Sequence, residues 1–159
     1  MSVFLETATA LVCLSHAIFW EARSESTVAQ LAVAQVVINR VNDNRYPDNV
    51  CAVVTQGQRY TWNNKLVPNK CQFSFYCDGK PENETIDIEA YRWAEEIATY
   101  VLDFNLHIDL TDGATHYHAD YVNPGWAEKF TQTVCIDSHC FYRWEKEDTA
   151  HTDRQTGAQ

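Results

Sequence analysis

The chain has 159 residues, 45% of them hydrophobic and 21% charged, a balance that fits one globular domain and excludes a wholly disordered chain. Its 12 Lys and Arg against 22 Asp and Glu give a formal charge of −10. Such an acidic surface repels phosphate backbones and anionic lipid heads, which sets aside nucleic-acid binding and stable membrane insertion or adsorption.

In chain order, the first basic residue is Arg23, and Glu6, Thr7, Thr9 and His16 interrupt the early apolar run, so no secretory signal is read. No stretch reaches the ~18 apolar residues of a spanning helix. The chain is therefore expected to start in a host cytoplasm and to need another exit, such as lysis. Residues 6–22 predict a helix whose buried face carries Leu11, Leu14, Ala17 and Ile18, with Phe4 and Phe19 beside them. Glu21 stands at its end. Ser26 or Thr27 caps a second helix from Val28 to about Val41. That segment is apolar on nearly every side, Gln30, Gln35 and Asn39 excepted, so it is expected at the centre of the core.

From Tyr46 to Pro81 the pattern is irregular and reads as loops with small helical or strand pieces, closed by the Asp78-Gly79 turn. Glu89 to Leu102 is a third helix, with Ala90, Trp93, Ile97, Ala98, Val101 and Leu102 as its stripe. Ala114 to Tyr121 suggests a short strand, and Cys140 to Trp144 its antiparallel partner. The residues beyond Glu145 have almost nothing to bury. The expectation is a mainly helical α+β fold, with one domain over 1–145 and a polar, disordered tail over 146–159.

Six cysteines fall at 13, 51, 71, 77, 135 and 140, and neither close pair has the CxxC spacing of a zinc or redox site. Free cysteine behaves as a small hydrophobe, so they are read as reduced, mostly buried thiols rather than disulfides.

Chemistry is first signalled by Trp20-Glu21-Ala22-Arg23-Ser24-Glu25. Were the helix to continue, Glu21 and Glu25 would share a face. A carboxyl at the end of an apolar helix can stay protonated near neutrality, as the acid of glycosidic cleavage must. Glu25 is a candidate supporting carboxylate, and a solvated helix end is the plainer reading of both. AIFWEARSES, followed by QLAVAQVVINRV, YPDNVCAVV, CQFSFYCDG, ATHYHADYVNPGWA and HCFYRW, resembles the SleB/CwlJ-type cell wall hydrolase family of spore-cortex-lytic enzymes. The resemblance runs in order from about residue 16 to 144. It departs from the family's pattern at Ser24, where a Gly normally precedes the second Glu.

What the resemblance implies is a peptidoglycan-cleaving enzyme with a lysozyme-like helical core and a small β-hairpin or short sheet. Its catalytic acid would be Glu21, acting on the MurNAc–GlcNAc β-1,4 bond by lytic transglycosylation. One acid suffices there, because no water enters. A hydrolytic muramidase would instead need Glu25, Asp78 or Asp120 to activate water or attack. No cofactor is called for. The partner is the glycan strand of bacterial peptidoglycan, and a monomeric phage or prophage endolysin released through a holin fits a short chain of this kind.

His116 and His118 alternate onto one strand face with Asp120, a spacing that could also hold zinc with Cys140 or His139, giving an amidase or peptidase. Alternatively they bond sugars, Tyr117 or backbone. Gln72, Ser74, Tyr76, Tyr121, Asn123 and Trp126 offer flat faces and neutral donors suited to glycans. Phe73, Phe75 and Trp144 read as core. The amides of Gln35 and Asn39 need partners, which either the Glu21 region, substrate or a structural network would provide. A catalytically silent wall-binding module is the remaining reading.

Overall fold

The computed structural model describes residues 8–80, 86–104 and 108–146. Helix α1 spans Ala10–Ala22, and Thr9, in extended conformation, accepts from the Val12 amide at 3.4 Å to start it. That cap sets the start later than the sequence predicts; residues 6 and 7 and Phe4 lie outside the described residues. Helix α2 spans Thr27–Val41 and is capped by Ser26, whose Oγ accepts from the Ala29 amide at 3.3 Å. Asn49 caps the short α3 (Val50–Val54), and Asp87 accepts from the Glu89 and Ala90 amides at the start of α4 (Ile88–Phe104).

The apolarity of α2 has a direct cause. Ala34 and Val37 join Leu14, Ile18, Phe19, Val53, Ile97 and Val101 in an interhelical core. Ala32, Val33 and Val36 pack instead on Ala114 and Phe141, against the sheet. With both sides covered, each buried valine contributes about 1.5–3 kcal/mol. On α4 the stripe shifts from the predicted one: Ala94 is buried, whereas Trp93 is 44% exposed.

Strands β1 (Gly57–Arg59) and β2 (Leu66–Cys71) form an antiparallel hairpin, followed by a 3-10 turn at Ser74–Tyr76. The second sheet has β3 (His116–Ala119), β4 (Thr131–Ile136) and β5 (His139–Arg143) in the order β3-β5-β4, all antiparallel. The predicted pair is present, with His116 opposite Tyr142 and Ala119 opposite His139. Strand β4 was not anticipated, since its inward positions are only partly buried. Asn39 and Gln35 form a structural network: Gln35 Nε2 donates to Asn39 Oδ1, and Asn39 Nδ2 faces Asp109 Oδ2 at 2.9 Å, the Thr111 hydroxyl at 3.2 Å and the Ala114 carbonyl at 2.8 Å. This pins the loop before β3 to α2. Trp144, read as core, is 40% exposed.

The cysteine expectation is overturned. Cys13–Cys51, Cys71–Cys77 and Cys135–Cys140 are disulfides, and no cysteine is free among the described residues. The first bridge joins α1 to α3 across 38 residues, a pairing that only helix packing brings about. The other two close loops of the sheets. Of the predicted tail, residues 147–159 lie outside the described residues.

Candidate active site

Helix α1 stops at Ala22, and Glu21 projects from its last turn into a cavity of about 200 Å³. Arg40 from the end of α2, Gln72, Phe73 and Ser74 from the segment after β2, His116 and Tyr117 from β3, and Trp126 complete the wall. Strand alternation puts Tyr117 toward α1, and its hydroxyl donates to Glu21 Oε2 at 2.8 Å. Burial raises the Glu21 carboxyl above its ordinary 4.5, while the Tyr117 bond and the Arg40 charge pull the other way. Burial also holds Tyr117 well above 10, with the neighbouring carboxylate adding to it, so the phenol stays a donor.

Arg40 is only 5% exposed. Its Nε donates to the Thr115 carbonyl at 2.7 Å, and its guanidinium lies over Tyr46 at 5.2 Å and Phe73 at 5.5 Å. Its Nη1 is buried with no hydrogen-bond partner among the described residues. A donor left unsatisfied costs stability unless a ligand meets it. His116 packs among Trp126, Phe130 and Trp144, and burial, then Arg40 and Arg45, push it down to about 4, so it is neutral at neutral pH. The cavity thus offers one poised acid, one fixed cation, neutral donors and aromatic faces.

Of the residues singled out in the sequence, Gln72, Ser74, His116 and Trp126 line this cavity with Glu21. Others do not. Tyr76 is 3% exposed and belongs to the interhelical core, because the 3-10 turn points it inward. His118 stacks on Tyr142; its Nδ1 donates to the Ala119 carbonyl at 2.8 Å and its Nε2 sits 2.9 Å from the Tyr142 hydroxyl. Asp120, Tyr121 and Asn123 face solvent. Asp78 accepts from the Lys80 amide in its turn and is not among the lining residues.

Glu25 also stands apart from the cavity. The helix ends before it, and the turn bonds its amide to the Ala22 carbonyl at 3.0 Å. Its Oε1 accepts from the Ser138 hydroxyl and lies 3.8 Å from His139 Nδ1. The zinc alternative is likewise not assembled: among the described residues no three His, Cys, Asp or Glu side chains are grouped to hold a metal ion, and Cys140 is disulfide-bonded. Arg40 and Tyr117 are the functional residues that sequence reasoning missed. An arginine within an otherwise apolar helix was the available signal for the first. The phenol between two histidines was the signal for the second, since alternation sends it to the opposite face.

A small sheet thus packs on a helical core, with a desolvated glutamate at their junction. The cell wall hydrolase family model matches residues 24–142, and the chain belongs to that family. The match begins just beyond Glu21. The chain is 30% identical over 130 residues to a spore cortex-lytic enzyme of Halalkalibacterium halodurans, covering 80% of this chain and 33% of that protein. A spore cortex-lytic enzyme of Oceanobacillus iheyensis is 38% identical over 48 residues, 30% of this chain and 17% of that one. The chain therefore spans a third or less of the length of these curated relatives. Among solved structures it is similar to the catalytic domain of the germination-specific lytic transglycosylase SleB from Bacillus anthracis, with a TM-score of 0.62 and 24% identity over 84% of this chain and 93% of that one. The Bacillus cereus SleB catalytic domain gives 0.56 and 22%, over 84% and 89%. These likenesses give the chain the lysozyme-like α+β fold. Among the described residues no helix is long and apolar enough to cross a membrane.

Proposed function

We propose that the chain cleaves the MurNAc–GlcNAc β-1,4 bond of peptidoglycan by lytic transglycosylation, through a single catalytic domain over residues 1–145. The observation that carries this reading is that Glu21 is the one carboxyl group lining the cavity among the described residues. Hydrolysis requires a second group to activate water or to attack, and Glu25, Asp78 and Asp120 are all outside the lining set. Intramolecular attack needs one acid used twice. The SleB domain is named a lytic transglycosylase, which supports the same choice.

Desolvation favours the neutral acid of Glu21, which gives its proton to the glycosidic oxygen as the C1–O4 bond breaks and the GlcNAc hydroxyl leaves. The carboxylate so formed is held by the Tyr117 hydroxyl and by the charge of Arg40. It then takes the proton of the muramoyl C6 hydroxyl while that oxygen bonds to C1, closing a 1,6-anhydro ring and restoring the acid. Arg40 Nη1, without a partner among the described residues, is placed to donate to a sugar oxygen. Trp126 supplies a flat face, and Gln72 and Ser74 supply neutral donors and acceptors.

The lysis role, as a monomeric phage or prophage endolysin passed through a holin, belongs to the same proposal. On that route the disulfides would close after passage, because the cytosol keeps thiols reduced. Mass spectrometry of digests of purified peptidoglycan tests the chemistry, with Glu21→Gln as control. Ends carrying 1,6-anhydromuramic acid, made only by the wild type, are expected. Reducible MurNAc ends would replace transglycosylation by hydrolysis, and free stem peptides on intact glycan would overturn both.

A further inference from the structure

In a chain of charge −10, residues 49–77 contain no Asp or Glu, yet they carry Arg59, Lys65 and Lys70. All three are exposed, and all lie on the β1–β2 hairpin. The same hairpin displays Trp62 at 77% exposure and Tyr60 at 39%, their rings 5.6 Å apart and tilted by 41°. An indole that exposed, beside a second ring, serves no core and is the kind of apolar surface that marks a binding site.

The tip is rigid rather than frayed. The Tyr60 amide donates to the Lys65 carbonyl at 2.9 Å, the Asn64 amide to the Tyr60 carbonyl at 3.0 Å, and Arg59 Nη1 to the Asn64 carbonyl at 2.9 Å. Its base is fixed to the cavity wall. Gln72 donates its amide to the Gln56 carbonyl at 2.9 Å, and Cys71–Cys77 closes the loop that carries Gln72, Phe73 and Ser74. Gly57 is required at this base, since a Cβ there would meet Cys71 Sγ at 2.8 Å. Strand β1 carries the chain from Gly57, opposite Cys71, to Arg59, opposite Leu66, and neither Tyr60 nor Trp62 is among the residues that line the cavity.

We infer that the hairpin tip is a second carbohydrate-binding site, outside the lining of the cleavage cavity, which takes another part of the same glycan strand. Sugar faces stack on Trp62 and Tyr60, and the carboxylates of muramoyl stem peptides are drawn to Lys65 and Arg59 near the tip and to Lys70 closer to its base. Aromatic faces suit the apolar side of a pyranose, and the local positive charge complements an anionic polymer that the rest of the surface repels. Pre-organisation of the tip means that little ordering cost falls on binding. The inference rests on the peptidoglycan reading above.

The test uses two variants, Trp62→Ala and the double variant Lys65→Glu with Lys70→Glu. All the sites are exposed, so thermal midpoints should match the wild type. In the Glu21→Gln background, retention is measured on sacculi freed of other wall polymers and on chitin beads, a neutral glycan. Trp62→Ala is expected to weaken both by about five- to tenfold. The charge reversal is expected to weaken only sacculus binding, by an amount that shrinks as salt is raised. In the otherwise wild-type chain, Trp62→Ala should raise KM on sacculi with kcat unchanged, and leave cleavage of short soluble glycan fragments within about twofold. Unchanged retention of Trp62→Ala on both supports overturns the second site, whatever the cleavage assay gives. Retention lost in that variant, with no glycosidic cleavage by the wild type, overturns the proposed reaction and keeps the site.

Discussion

Glu21 and Glu25 are four residues apart and share a residue type, yet their surroundings differ in kind. Glu21 is pressed between a helix end and the sheet, with one phenol bond and a nearby guanidinium that only partly offset its desolvation. Glu25 is one turn further on, past the end of α1, where the Ser138 hydroxyl holds it and His139 lies beside it. The first environment favours the neutral acid and leaves an oxygen to face a cavity. The second anchors a loop: Ser26, next to Glu25, donates its amide to Asp137 Oδ2 at 2.8 Å, tying the α1–α2 turn to the β4–β5 turn. A carboxyl is biased to its neutral form by what is withheld from it, and becomes a strut through what is given to it.

Exchanging the groups should expose that difference. Glu21→Gln is expected to lower turnover by about 10³-fold. It should also stabilise the protein, and the sign follows from the raised carboxyl. The wild type has its full stability below the unfolded value of 4.5 and loses it as pH rises through the folded pKa, so the excess thermal midpoint of the variant should be larger at about pH 8 than at about pH 5. Arg40→Met keeps an apolar stem over Phe73 and removes the charge; a loss of about 10²-fold is expected. Tyr117→Phe removes one bond to the carboxylate and should cost about tenfold.

Both of the last two groups lower the Glu21 pKa, so either substitution should move the alkaline limb of the pH–rate profile to higher pH. A purely structural role would leave that limb in place. The smallest effect on rate is expected at Glu25→Gln, with activity within about twofold and unfolding free energy lower by about 1 kcal/mol in urea titration. A Glu25→Gln enzyme as dead as Glu21→Gln would break the contrast.

Much of the scaffold was legible because its causes are local. The apolar run from Val28 to Val41 announces a helix covered on two sides, and the alternation from Ala114 to Tyr121 with its partner near Phe141 is a strand pair. Glu21 was legible as the polar end of an apolar helix and through the family's motif. Arg40 and Tyr117 act across the fold on Glu21, so their local signals mark them as unusual without linking them to that carboxyl. The histidine pair divides: His116 borders the cavity, while His118 is spent on Ala119 and Tyr142. Cys13 and Cys51 meet only because α1 and α3 pack together, a fact carried by tertiary structure alone.

Trp126 has one more consequence, an optical one. Its indole borders the cavity and lies 5.2 Å from His116 and 5.6 Å from Phe130. Tryptophan emission shifts to shorter wavelength when water leaves the ring, so a sugar seated against this face reports its own arrival without a label. Glu21→Gln is expected to leave a bound glycan uncleaved, and the difference spectrum against a Trp126→Phe variant isolates this indole from the other four in the sequence. Occupancy of the cavity can thus be read by fluorescence separately from the chemistry performed in it.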